Sequence, residues 1–137
     1  MDELSAIGKI AGSAMRAQSV RMRVTSENMA NVDTTGTAPG ADPYRRKTVD
    51  FAEAVDRASG APIVTVDRIG TDPSNFEKRY DPSHPAADEA GYVKVPNVNA
   101  MVELANMREA MRSFEANLNM MDSGRRMRSQ LLDLLKR

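Results

Sequence analysis

Between Asn99 and Arg137, the residues Leu104, Met107, Met111, Phe114, Leu118 and Met121 fall at alternating steps of three and four. A seven-residue apolar repeat held for three rounds predicts one long amphipathic helix with a narrow seam. Beyond Met121 the strict spacing would put Arg125 and Arg128 on that seam. A step of three to Gly124 recovers Met127, Leu131 and Leu134, so the repeat is expected to slip there as a stammer does. Asn99 is placed to cap the start behind Pro96, Glu103 sits in the first turn, and Lys136 and Arg137 suit the negative end of the dipole. Such a helix runs roughly 55 Å, too long to hide its seam inside a compact domain of 137 residues. It needs a partner.

A second helix is predicted from Asp2 to about Asn31. Leu4, Ile7, Ala11, Ala14, Gln18, Met22, Thr25 and Met29 recur near the 3.6 period, with Gly8, Gly12 and Ser13 beside them and Asp2 as a cap. This stripe is thin and made of small residues, which permit close approach of another helix. The two glycines each weaken an isolated helix by about 1 kcal/mol, so the segment is expected to fray until something packs on it. Three Tyr, three Phe and no Trp leave little material for a large core.

The middle of the chain reads differently. Val32-Asp33-Thr34-Thr35-Gly36 ends the first helix, and Thr37 to Pro43 is loop. Tyr44 to Val49 has strand propensity. Asp50-Phe51-Ala52-Glu53 has the spacing of a capping box, which predicts a short helix from Phe51 to Ala58 with Phe51, Ala54, Val55 and Ala58 inward. Ile63 to Ile69 is the clearest strand, Phe76 to Tyr80 a weaker one, and Gly91 to Val95 the last, after a Pro-rich loop from Asp81 to Ala90. The expected fold is mainly α with a small β and loop middle section. Its segments are 1-32 (first axial helix), 33-96 (middle) and 97-137 (second helix), the two helices pairing as a coiled-coil-like axial core.

Several chemistries are excluded or poorly supported. With no cysteine there is no disulfide, thiol nucleophile or thiolate metal site. Nineteen basic residues balance nineteen acidic ones, so the chain as a whole carries no field that would gather nucleic acid or anionic lipid. No run is apolar enough to span a membrane, and the first twenty residues do not read as a signal peptide. His84, the only histidine, could join Asp81 and Asp88 in a metal site, but flanking prolines supply no ligand geometry and a structured loop is the plainer reading. The basic groups Arg45-Arg46-Lys47 and Arg125, Arg126, Arg128 read as solvated or interface faces, Asp122 being placed to pair on the helix with Arg125 and Arg126. Five methionines between Met107 and Met127 could line a promiscuous groove, as in a secretion chaperone, or serve as adaptable seam residues facing several neighbours. Neither a cofactor motif nor a catalytic constellation is present, and an enzyme is not expected.

Ser26-Glu27-Asn28-Met29-Ala30-Asn31-Val32-Asp33-Thr34-Thr35-Gly36 resembles the N-terminal motif of the bacterial flagellar axial proteins of the rod and hook. Tyr44-Arg45-Arg46-Lys47, the run Tyr80-Asp81-Pro82-Ser83-His84-Pro85-Ala86-Ala87-Asp88-Glu89-Ala90-Gly91-Tyr92-Val93, Pro96-Asn97-Val98-Asn99 and Phe114-Glu115-Ala116-Asn117 are similar to the proximal-rod branch of that family, in the same order along the chain. Two departures stand out. Thr37 to Pro43 intervenes where hook-type relatives have an aromatic residue directly after the glycine, and Phe114 stands where the family usually has Tyr.

The resemblance implies a structural subunit of the basal-body rod, the drive shaft crossing the periplasm, with terminal helices packed around an export channel. It implies as partners copies of the chain, the other rod proteins, and the adaptor to the MS ring and export gate at the rod base. It further implies passage through the flagellar type III export apparatus without a cleaved signal.

Overall fold

The structure, a computed structural model, describes residues 2–136. The cap expected of the Asp2 side chain and the charge expected at Arg137 lie outside that description. Helix α1 spans Asp2–Ala30 and helix α2 spans Ala100–Leu135. Between them run four strands, β1 Lys47–Val55, β2 Pro62–Thr71, β3 Glu77–Tyr80 and β4 Tyr92–Val95, paired as two separate two-stranded sheets, β1 with β2 and β3 with β4. The chain is thus two long helices with a small strand region in the middle.

Both helices stop and start where local chemistry requires. Asn31 N–H donates back to the Glu27 and Asn28 carbonyls as α1 unwinds. The Asn99 Oδ1 accepts from the Met101 and Val102 N–H groups at 3.0 and 3.3 Å, capping α2 as expected. No proline interrupts α2, and it runs unbroken past Gly124.

The chain divides into two compact units. The first comprises Met1–Met22, Val49–Arg68 and Arg108–Arg137. Its buried positions are small: Ala11, Ser13, Ala17, Ala61, Ala110 and Gly124. Small residues let backbones meet closely, and a Cβ built on Gly124 would sit 3.3 Å from Ile7 Cγ2. Arg21 bonds Glu109 at 3.1 Å, so the start of α1 lies by the end of α2 and the two run antiparallel in this unit. The hairpin is pinned to α1 by Ser13, whose Oγ accepts from Val64 N–H at 3.1 Å, and by Lys9 on Asp56 at 2.8 Å.

The short helix expected from Phe51 to Ala58 does not form; that stretch belongs to β1 and its turn. Phe51, Glu53 and Val55 are exposed while Ala52, Ala54 and Asp56 are half-buried, a period of two rather than 3.6. Asp50 pairs with Arg68 across the hairpin instead of capping. The turn closes through Asp56 N–H on Ala61 O, with Gly60 at φ 67°. A connection this short admits only antiparallel strands.

The second unit comprises Arg23–Thr48 and Ile69–Met107. Val24, Ala86 and Val93 form its apolar centre, and Thr25, Asn28 and Glu103 are buried with them. Strands β3 and β4 pair antiparallel with Tyr80 opposite Tyr92, their rings edge to face at 5.3 Å. Gly91 holds φ 85°, and a Cβ there would lie 2.9 Å from Tyr80 Cε2, so only glycine fits beneath that ring.

Candidate assembly surface and its polar anchor

In the second unit, Asn28 sits at the centre of a buried polar cluster and makes four hydrogen bonds. Its Nδ2 donates to Lys47 O at 2.9 Å and to Glu103 Oε2 at 3.4 Å. Its Oδ1 accepts from Lys47 N–H at 2.9 Å and from the Tyr44 hydroxyl at 2.8 Å. An amide has two donors and two lone pairs, and all four are used. Burial pushes the Tyr44 hydroxyl above its ordinary pKa, which keeps it a donor.

Glu103, 1% exposed, is the largest fully buried side chain among the described residues. Its Oε1 accepts from Arg46 Nε, and Arg46 reaches Asp72 at 3.6 Å on its other side. A carboxylate this deep is tolerable only because a guanidinium and an amide neutralise and bond it. Asn97 completes the cluster: Oδ1 accepts from Arg46 N–H at 2.8 Å, while Nδ2 donates to Asp72 O and to Ser74 O and Oγ. Arg45 donates to the same two carbonyls and lies 4.1 Å over the Phe76 ring. The Ser74 N–H and hydroxyl hold the Asp72 carboxyl below its usual range.

The remaining motif residues shape loops. Asn31 bonds Glu27 O and accepts from Thr34 Oγ1, both within the helix exit. Gly36 passes so close to Ala41 that a Cβ would sit 2.7 Å from its methyl. His84 Nδ1 accepts from Ala86 N–H at 3.0 Å, and its Nε2 shares a hydrogen bond with Thr35 Oγ1 at 3.2 Å. Asp81 accepts from Ser83, and Asp88 from the Ala90 and Tyr92 N–H groups, the last of these holding its carboxyl below the usual range. The three residues weighed as metal ligands are therefore each engaged by their own loop. Pro82 and Pro85 are exposed, and Asn117 donates to Ser113 O on α2 beside exposed Glu115.

The structure divides the predicted seam residues in two. Along α2 the inward positions are Glu103, Met107, Ala110, Phe114, Asn117, Met121 and Gly124, buried or half-buried, at strict steps of four and three with no slip. Met107, Phe114 and Met121 are thus inward. In the first unit Met111 (56% exposed), Leu118, Met127, Leu131 and Leu134 (67% exposed) face outward, and in the second unit so do Met101 and Leu104. On α1 the large apolar residues Leu4, Ile7, Ile10, Met15, Val20, Met22, Val24 and Met29 are all half-buried or buried, and Ala11 and Ala14 lie with them. The unsatisfied apolar surface of the helices is therefore concentrated on α2, including a groove of about 200 Å³ lined by Leu4, Arg128, Leu131, Leu132, Leu134 and Leu135.

Glu103 and Arg46 carry the cluster, yet sequence reasoning treated one as a helix-dipole charge and the other as part of a surface patch. The available clue was a glutamate four residues before Met107 on what proves to be the inward stripe.

Known proteins match this sequence along its length. Residues 9–36 match the family described as flagella basal body rod protein, and residues 89–134 match the family described as flagellar basal body rod FlgEFG protein C-terminal. The flagellar basal-body rod protein FlgC of Agrobacterium fabrum is 52% identical over 136 residues, covering 99% of this chain and 98% of its own. FlgC of Salmonella typhimurium is 39% identical over 91% of this chain and 92% of its own, and that of Borreliella burgdorferi 35% identical over 93% and 94%. End-to-end similarity of this kind makes the chain a member of the FlgC family of flagellar basal-body rod proteins.

Proposed function

We propose that the chain is a non-enzymatic building block of the proximal rod, polymerising with copies of itself and with other rod proteins into the torque-transmitting shaft around the export channel. The observation that carries this reading is the outward apolar row Met111 and Leu118 on α2, with exposed Met127, Leu131 and Leu134 on other faces of the same helix, all of which a lone chain leaves in water. In the assembled rod that row is covered by neighbours, and the inward row with Phe114 and Met121 holds α2 to α1 as a coiled-coil-like pair. The base of the rod meets the MS-ring and export-gate adaptor, and the subunit reaches the periplasm through the type III apparatus. No helix among the described residues is long and apolar enough to cross a membrane.

Met111→Asp tests this in cells lacking the native subunit. Because Met111 is mostly exposed, the purified variant should keep its helical circular dichroism and its stability to within about 0.5 kcal/mol. It should be exported yet leave cells non-motile and without rods. Phe114→Asp, at a half-buried site, should lose folding as well. Swimming cells with normal rods carrying Met111→Asp would overturn the proposal.

A further inference from the structure

The inward stripe of α2 repeats not only in position but in size. Met107, Phe114 and Met121 are large, and Ala110, Asn117 and Gly124 are small, each set spaced by seven. A slide of α2 by one heptad toward its own N-terminus would bring Phe114 to the place of Met107, Met121 to that of Phe114, Asn117 to that of Ala110 and Gly124 to that of Asn117. Large replaces large and small replaces small. Side-chain volume alone therefore separates the two registers weakly over most of the stripe. The opposite slide is opposed, since Pro96 would take the place of Glu103, whose N–H bonds Asn99 O, and proline has no N–H to give.

Besides the half-buried place of Met121, which Arg128 would take, two positions are not equivalent under the slide. One is Gly124, where Leu131 would arrive against Ile7. The other is Glu103, whose place would be taken by Ala110. That exchange would leave Arg46 and the Asn28 amide facing a methyl group in a buried site. Breaking a buried pair by removing one partner is far more costly than never having built it.

We propose that the Glu103, Arg46 and Asn28 cluster is a register lock, specifying which heptad of α2 meets the end of α1. Glu103 is a positioning residue in this scheme. It selects among packings of nearly equal volume, as a single buried polar residue does in a helical zipper.

The chain has no cysteine, so introduced pairs report register cleanly. Ile7 Cβ lies 3.9 Å from the Cβ position at Gly124, within the separation a disulfide spans. Ile7→Cys with Gly124→Cys should therefore oxidise within the native chain, and Ile7→Cys with Leu131→Cys should not. The lock is then moved one heptad by combining Glu103→Leu with Ala110→Glu. In that background the Ile7→Cys and Leu131→Cys pair should form an intramolecular disulfide, the cysteines also removing the Ile7 and Leu131 clash, and the Gly124→Cys pair should lose most of its yield. A second background, Glu103→Leu with Arg46→Met, erases the lock without moving it, and both pairs should then form in comparable amounts. Mass spectrometry of the oxidised, diluted protein reads the products. Persistence of the Gly124→Cys disulfide alone in both backgrounds would overturn the proposal. So would loss of helical circular dichroism in both, since the cluster would then supply stability rather than register.

Discussion

Truncating Asn28 to Ala removes three short hydrogen bonds and one long one from a site 1% exposed. Each short bond contributes about 1 kcal/mol net, and the Lys47 N–H and carbonyl, half-buried at the start of β1, lose their side-chain partner. The Glu103 carboxylate keeps Arg46, so its charge stays neutralised. The sum is a loss of about 3 kcal/mol, or about 10 °C in Tm for a chain of this size. Asn31, three residues on in the same motif, supplies the contrast. Its bonds to Glu27 O and Thr34 Oγ1 are local and half-exposed, and water replaces them, so Asn31→Ala should cost less than about 1 kcal/mol. Urea unfolding followed by circular dichroism measures both variants under one condition. Equal losses, or an Asn28→Ala variant within 1 kcal/mol of the parent, would refute the assignment of Asn28 as the centre of the cluster.

Three further outcomes follow from the geometry. Asp56, bonded chiefly by the Lys9 ammonium and then by Ser59, has its carboxyl pulled from 3.8 down to about 2. A depressed folded-state pKa means that the stability it lends is present above about pH 4 and is lost as pH falls toward 2. Asp56→Asn should therefore flatten the unfolding profile between those values while leaving its slope at neutral pH unchanged. Gly91→Ala should destabilise by about 2 kcal/mol, because φ 85° and the Tyr80 ring both oppose a methyl group. Gly8→Ala should instead stabilise by about 1 kcal/mol, since nothing lies within 4 Å of the new Cβ and helix propensity improves; thermal melts distinguish the two signs.

Much of this molecule could be read from its residues, and the misreadings have one cause. The helices were legible because α1 and α2 carry apolar periodicity, clear stops and an Asn99 cap. Which face of α2 packs inward was not. Its inward row is written in Glu103, Ala110, Asn117 and Gly124, residues that hydrophobicity passes over, while the conspicuous Leu104, Met111 and Leu118 point outward. The apparent stammer at Gly124 vanishes once the inward row is followed. The same inversion misled the reading of β1, where Phe51 and Val55 are exposed and the small Ala52 and Ala54 face in. Composition rules assume that large apolar residues mark a chain's own core. In a chain that leaves many of the large apolar side chains of α2 in water, they mark the outside. The cluster was half visible: Asn28, Tyr44 and Asn97 stood out through the motifs, but pairing Glu103 with Arg46 requires the fold to bring together residues fifty-seven apart.

Cysteine accessibility at the outward row decides the matter most directly. Met111→Cys and Leu118→Cys, placed singly in the otherwise cysteine-free chain, should react rapidly with a maleimide in the purified monomer. In basal bodies isolated from motile cells carrying the same variants, both should be protected, because neighbouring subunits cover that face. Equal reactivity in monomer and basal body would contradict the account.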